Sequence, residues 1–208
     1  MTAKPPEEGT IWEWRAFGKL NQESRSRIVA LPVRSGLIDH PDEDVYLVSP
    51  TSDQNVKLRK LGGAWVIKFK ELLEKSSDSM ELYRESQATI FEFPVCQSTL
   101  VAAAGLLDAE LPPAGLPLKK YDRQDLIEVL ADSTPPIPVV EVPKVRSQFV
   151  VEGGWVELAE AIFPQCKIQT VSIHSFVKRD VERNLKLIDP QGDLIVMNYI
   201  DACRRWGA

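Results

Sequence analysis

Large apolar residues alternate with charged or small ones through several stretches of this chain, and each such stretch predicts a strand. In Thr10–Leu20, Trp12 and Trp14 fall on one face and Glu13 and Arg15 on the other. Residues 21–27 are polar and open to a short helix or a loop, and residues 42–50 contain a strand-like apolar run at 45–48. After a turn built on Pro50, Ser52 and Asp53, residues 55–59 place Val56 and Leu58 on one face, with Lys57 and Arg59 on the other. Gly62 and Gly63 predict a hairpin into a partner strand at 64–72. There Lys68 and Lys70 oppose Trp65, Ile67 and Phe69. Residues 81–93 predict one further strand or a pair.

The period then changes. Residues 97–110 are rich in Ala and Leu and predict a helix ended by Pro112, Pro113 and Pro117. Residues 122–131 form a second short helix with Leu126, Ile127 and Leu130 as its buried stripe. Strands return at Val139–Val151, 155–162 and 167–175, with Gly153 and Gly154 as a turn. Helices follow at 180–188 and 197–206. Strands, helices, strands and helix in that order indicate an α+β fold.

The charged faces carry the candidate chemistry. Residues two apart on a strand share a face, so Glu13 with Arg15, Lys57 with Arg59, Lys68 with Lys70, and Lys144 with Arg146 are same-face pairs. Three of the four pairs are wholly basic. Solvated faces mix signs, whereas like charges held together repel unless an anion sits among them. The pattern leaves two readings open, an anion site and a set of solvated faces. A formal net charge of -5 over 208 residues argues against whole-molecule attraction to nucleic acid or an anionic membrane, so an anion site must be local.

Other features narrow the setting. Cys96, Cys166 and Cys203 are an odd set without a CxxC pair, and predict a reducing, cytoplasmic location. No apolar run is long enough to span a bilayer, and residues 1–9 read as a polar, flexible tail. Trp12, Trp14, Trp65 and Trp155 are expected in the core. His174 shares a polar face with Thr170 and Ser172 and is expected to bond a neighbour. His40 is expected in a loop, without a role.

The runs WEWRAF, DVYLVSPTSDQNVKLR and WVIKFKELLE resemble the first half of a CYTH domain, the triphosphate tunnel metalloenzyme family. YDRQDLIEVLAD, VPKVRSQFVVEGGWVELAEA and IQTVSIHS resemble its second half. The resemblance implies one domain over 10–208, an antiparallel eight-stranded barrel flanked by helices, with a helical insert at about 97–132. It implies a tunnel that binds a triphosphate-containing small molecule through inward Lys and Arg, with Mg²⁺ or Mn²⁺ on Glu residues.

Carried onto this chain, Glu13 and Arg15 match the second Glu and the Lys of the family's ExExK motif. Lys57, Arg59 and Lys68 match the inward basic residues of the next strands and would position and neutralise the substrate. Arg84, Lys144 and Arg146 match later tunnel positions, and Glu157 and Glu160 match acidic ones. The metal ligands so implied are Glu13, Glu157 and Glu160. Two departures stand out: Ile11 replaces the first Glu of ExExK, and Ser172 and His174 occupy the last strand, where acidic ligands are expected. An aliphatic side chain cannot ligate a hard cation. Three functions follow as alternatives: a metal-dependent phosphohydrolase, a non-catalytic polyphosphate or nucleotide binder, and a scaffold that retains only the barrel.

Overall fold

The computed structural model describes residues 9–34, 40–112, 116 and 119–207. Apart from Gly9, the expected N-terminal tail lies outside these residues, as does the side chain of His40. Among the described residues, twelve strands and five α-helices follow one another. They are β1 (Thr10–Leu20), α1 (Gln22–Val29), β2 (His40–Leu47), β3 (Asn55–Leu61), β4 (Ala64–Lys75), β5 (Met80–Arg84), β6 (Ile90–Glu92), β7 (Val95–Cys96), α2 (Gln97–Leu106), β8 (Lys120–Tyr121), α3 (Arg123–Ala131), β9 (Val139–Val151), β10 (Gly154–Phe163), β11 (Cys166–Ser175), α4 (Lys178–Ile188), β12 (Gly192–Val196) and α5 (Tyr199–Trp206).

Eight strands pair antiparallel in the order β11, β10, β9, β2, β3, β4, β5, β1, and β1 returns to β11 to close the barrel. Closure removes the exposed edges that an open sheet would leave. The alternation read from the sequence sets which residues point inward. Lys57 lies opposite Lys68, Glu13 opposite His174, and Glu157 opposite Gln148.

The outward apolar faces are covered in two places. Val45, Leu47, Val56, Leu58, Ile67 and Phe69 pack against Leu100, Ala103 and Leu107 of the α2 segment and Leu126 and Leu130 of α3. Asp122 caps α3 by accepting from the Asp125 N–H, in a capping box. On the other side, Trp14, Ala16, Val156, Val171 and Ile173 pack against Ile28 of α1 and Val181 and Ile188 of α4. The spacing of Val181, Leu185 and Ile188 gives α4 one apolar stripe.

The third cluster lies inside the barrel. Phe17, Tyr46, Val140, Val142, Ala161 and Phe163 point inward and meet Tyr199, Ile200, Ala202 and Cys203 of α5, which therefore closes one end. β12 brings α5 to this position. β1 outruns β5, and its second half pairs with β12 instead, with Gly18 opposite Leu194. Gly18 has φ +138°, and a Cβ there would overlap the Asp193 carbonyl. Gly18→Ala is expected to lower stability by about 1–3 kcal/mol, as read by urea unfolding, because it pushes β12 away from β1.

Candidate anion-binding site in the barrel

The cavity above α5 has a volume of about 100 Å³. Arg15, Lys57, Arg59, Lys68, Lys70, Lys144 and Arg146 all line it, together with Asn55, Gln148, Trp155, Glu157, His174 and Tyr199. Seven basic side chains from β1, β3, β4 and β9 thus converge on one space. Tyr199 forms its floor. The Arg15 guanidinium and the Lys144 ammonium each lie 4.6 Å from the centre of the Tyr199 ring, and Lys57 lies 5.4 Å from that of Tyr46.

Five carboxylates pair with these cations. Asp44 takes Arg59 Nε at 2.5 Å, Lys144 Nζ at 2.8 Å and Lys57 Nζ at 3.1 Å. Asp42 takes Arg146 Nε at 2.5 Å. Glu157 accepts from Arg146 at 3.1 Å and from Gln148 at 2.8 Å, with Arg15 3.6 Å away. Glu13 accepts from Arg15 Nε at 2.6 Å and from Lys70, and Glu85 accepts from Lys68. Among the described residues the cations exceed their carboxylate partners by two. Apart from Arg146 Nε, which is ion-paired with Asp42, two polar atoms of cavity-lining residues have no hydrogen-bond partner among the described residues, the Tyr199 hydroxyl and Asn55 Oδ1. Both residues are buried. Buried polar groups are normally satisfied, so unpaired ones bordering a cavity mark it as a place for a polar ligand.

The electrostatics divide the lysines. Burial, reinforced by Arg59 and the neighbouring ammonium groups, holds Lys57 well below the usual amine range. Lys68 and Lys144 are also lowered, with burial as the main cause. Lys70 is raised instead, because Glu13 and Glu85 outweigh the effect of burial. Burial favours neutral Glu13, Asp44 and Glu157, but the surrounding cations win and all three titrate well below the ordinary range.

His174 bonds Ser172 at 2.8 Å and stacks on Trp155 at 5.0 Å, with Glu13 3.5 Å from its Nδ1. Burial lowers its pKa to about 4, against the opposing pull of Glu13 and Glu157; Arg15 and Lys70 add to the lowering. The unfolded chain takes up a proton near the ordinary imidazole value, whereas the folded chain resists protonation until about pH 4. This contribution to stability is therefore complete above the unfolded value and shrinks as pH falls through the window below it. Chemical unfolding from neutral to mildly acidic pH is expected to show a flatter profile for His174→Gln than for the wild-type chain.

The structure brings Arg15, Lys57, Arg59, Lys68, Lys144 and Arg146 to one cavity, together with Lys70, which the strand pattern puts on the face of Lys68 but which the family resemblance does not include among the site residues. Two expected site residues lie elsewhere. Arg84 is on the outer face of β5, paired with Glu71, because Glu81 and Tyr83 hold the opposite parity. Glu160 is three residues from Glu157, which puts it outside the barrel, exposed and 2.9 Å from Lys167. Trp155, expected in the core, instead borders the cavity between His174 and Arg34, whose guanidinium lies 4.5 Å from the ring centre. Asp42, Asp44, Asn55, Glu85 and Tyr199 were absent from the sequence reading of the site. The alternation of Asp42 and Asp44 with Tyr46 was a usable signal for the first two.

A divalent ion does not fit these residues. Glu160 is outside, and both oxygens of Glu13 and of Glu157 already face basic or amide groups. Among the described residues no three His, Cys, Asp or Glu side chains are grouped to hold a metal. A hard cation requires several free oxygen ligands, and in this arrangement ammonium and guanidinium groups take that place.

No protein-family model matches the sequence, and no curated protein matches it. Solved structures do share the fold. A candidate adenylate cyclase from Bacillus halodurans aligns at a TM-score of 0.52 and 12% identity, over 93% of this chain and 98% of its own. A candidate adenylyl cyclase from Hippeastrum, described as having a dominant triphosphatase activity, aligns at 0.52 and 12%, over 95% and 97%. A conserved protein from Pyrococcus furiosus aligns at 0.52 and 14%, over 92% and 98%. The fold is that of a closed, antiparallel, eight-stranded tunnel barrel with flanking helices.

Proposed function

We propose that the barrel interior binds a triphosphate-containing small molecule directly through its basic side chains. The observation that carries this reading is the convergence of seven Lys and Arg side chains on one cavity floored by the unpartnered Tyr199 hydroxyl. Guanidinium forks and ammonium groups are the usual clamps for phosphate oxygens. The fold shared with the Hippeastrum protein supports a triphosphate over other anions. The three cysteines, all free, support a reducing compartment such as the cytoplasm.

Hydrolysis of the bound triphosphate is the second reading, favoured by the triphosphatase activity of that same neighbour. Lys57, Arg59 and Lys68 would neutralise charge on the phosphoryl oxygens, a positioning and electrostatic role. With the carboxylates neutralised as they are, the structure supports binding more strongly than metal-assisted hydrolysis. Thermal unfolding with tripolyphosphate, run beside a phosphate-release assay, separates the alternatives. A raised Tm without release supports the binder, because a ligand of the native state must stabilise it. Release makes the chain a hydrolase, and an unchanged Tm at millimolar tripolyphosphate without release sinks both readings.

A further inference from the structure

Lys70 occupies a position unlike that of the other cavity lysines. It lies on β4 opposite Asn55, with its side chain only 11% exposed. Its ammonium bonds Glu13 Oε2, lies 3.8 Å from Glu85 Oε2, and sits 4.1 Å from the centre of the Tyr83 ring. One cation therefore bridges carboxylates from β1 and from the segment after β5. The other Glu13 oxygen is taken by Arg15, and the other Glu85 oxygen by Lys68.

An isolated buried lysine loses its charge. Here two carboxylates surround the Lys70 ammonium with opposite charge, whereas Lys57 and Lys144 share the single carboxylate of Asp44 with Arg59. Among the cavity lysines, Lys70 is the one paired with two carboxylates among the described residues. It also lines the cavity, and an ammonium has three donors. One is directed to Glu13 while Glu85, at 3.8 Å, pairs with it by charge alone, which leaves donors for a ligand oxygen.

We propose that the Lys70 ammonium is a built-in cation that stands between Glu13 and Glu85 where a divalent ion would otherwise sit, so that the barrel engages its anion without metal. The proposal rests on the triphosphate reading for the identity of the anion, but the place of the cation is independent of it. Arg15, on the far oxygen of Glu13, supplies the second positive charge that a divalent ion would carry.

Lys70→Met tests this by removing the ammonium and keeping most of the stem. It leaves Glu13 Oε2 and Glu85 Oε2 without their shared counter-charge, two oxygen donors of the kind a hard cation takes, with water completing its shell. Titration of Mn²⁺ followed by electron paramagnetic resonance is expected to show no tight site in the wild-type chain. Lys70→Met should gain one site, and the double variant with Glu13→Gln should lose it again. Should Lys70→Met fail to fold, Lys70→Gln keeps the polar contact and removes the charge.

A wild-type Mn²⁺ site that disappears in Glu13→Gln overturns the proposal, as does a folded charge-removed variant without any site. In the wild-type chain, EDTA is expected to leave tripolyphosphate affinity unchanged. A loss of tenfold or more, about 1.4 kcal/mol, overturns the proposal without any variant. If tripolyphosphate binds to none of these proteins while the Mn²⁺ pattern holds, the built-in cation is supported and the triphosphate reading fails.

Discussion

Asp44→Asn is expected to cost the ligand-free chain about 3–5 kcal/mol, the usual effect of removing one partner from a buried charge cluster. The Asp44 side chain is fully buried, and its carboxylate is the shared partner of Lys57, Arg59 and Lys144. Without its charge, three cations repel one another in a desolvated space. Tripolyphosphate is expected to recover more stability in this variant than in the wild-type chain, since the ligand then supplies the missing negative charge. Urea unfolding of both proteins with and without tripolyphosphate measures the difference. Equal ligand effects in the two proteins would separate this cluster from the binding site.

Arg59→Ala is expected to weaken tripolyphosphate binding by about 10–150-fold, equivalent to the roughly 1.5–3 kcal/mol typical of hydrogen bonds to charged groups. Two controls share its chemistry but not its location. Lys60, the next residue on β3, is on the outer face near Glu43, and Arg84 is on the outer face of β5 with Glu71. Lys60→Ala and Arg84→Ala are expected to leave affinity unchanged. Isothermal titration calorimetry on the three variants decides whether the inward face or overall positive charge holds the anion. A uniform loss across all three would point to diffuse attraction and contradict a site in the barrel.

The barrel wall was legible in the sequence because a strand exposes its parity in every pair of residues. Lys57 and Arg59 separate from Val56 and Leu58 in the sequence as they do in space. The same rule, applied strictly, excludes Glu160 once Glu157 is placed inside, since three residues reverse the face. Arg84 was missed for a related reason. Its strand carries polar residues on both faces, so apolar alternation could not orient it.

Other features depend on contacts between distant segments. β2 was read from its apolar run at 45–48, yet its inward face carries Asp42 and Asp44, whose role exists only beside β3 and β9. The segment of α5 reads in the sequence only as a last helix at 197–206. Only the closed barrel and β12 show that it plugs one end and places Tyr199 against Arg15 and Lys144. β12 itself is Gly192 and Asp193 followed by only three apolar residues, too little for a strand signal. Trp155 reads as a core residue until β11 places His174 beside it.

The barrel's crowded cations are expected to bind a triphosphate without metal. Calorimetric titration of the wild-type chain with tripolyphosphate in EDTA, repeated in buffers of different ionisation heat, tests it most directly. The lysines held below their usual range gain a polyanion neighbour on binding, so their proton affinity rises. The expected result is one bound ligand per chain, with a heat that varies between buffers in the direction of proton uptake. Affinity should decline as pH rises through the lowered lysine range. Absence of binding at millimolar tripolyphosphate, or binding that appears only when Mg²⁺ or Mn²⁺ replaces EDTA, would contradict it.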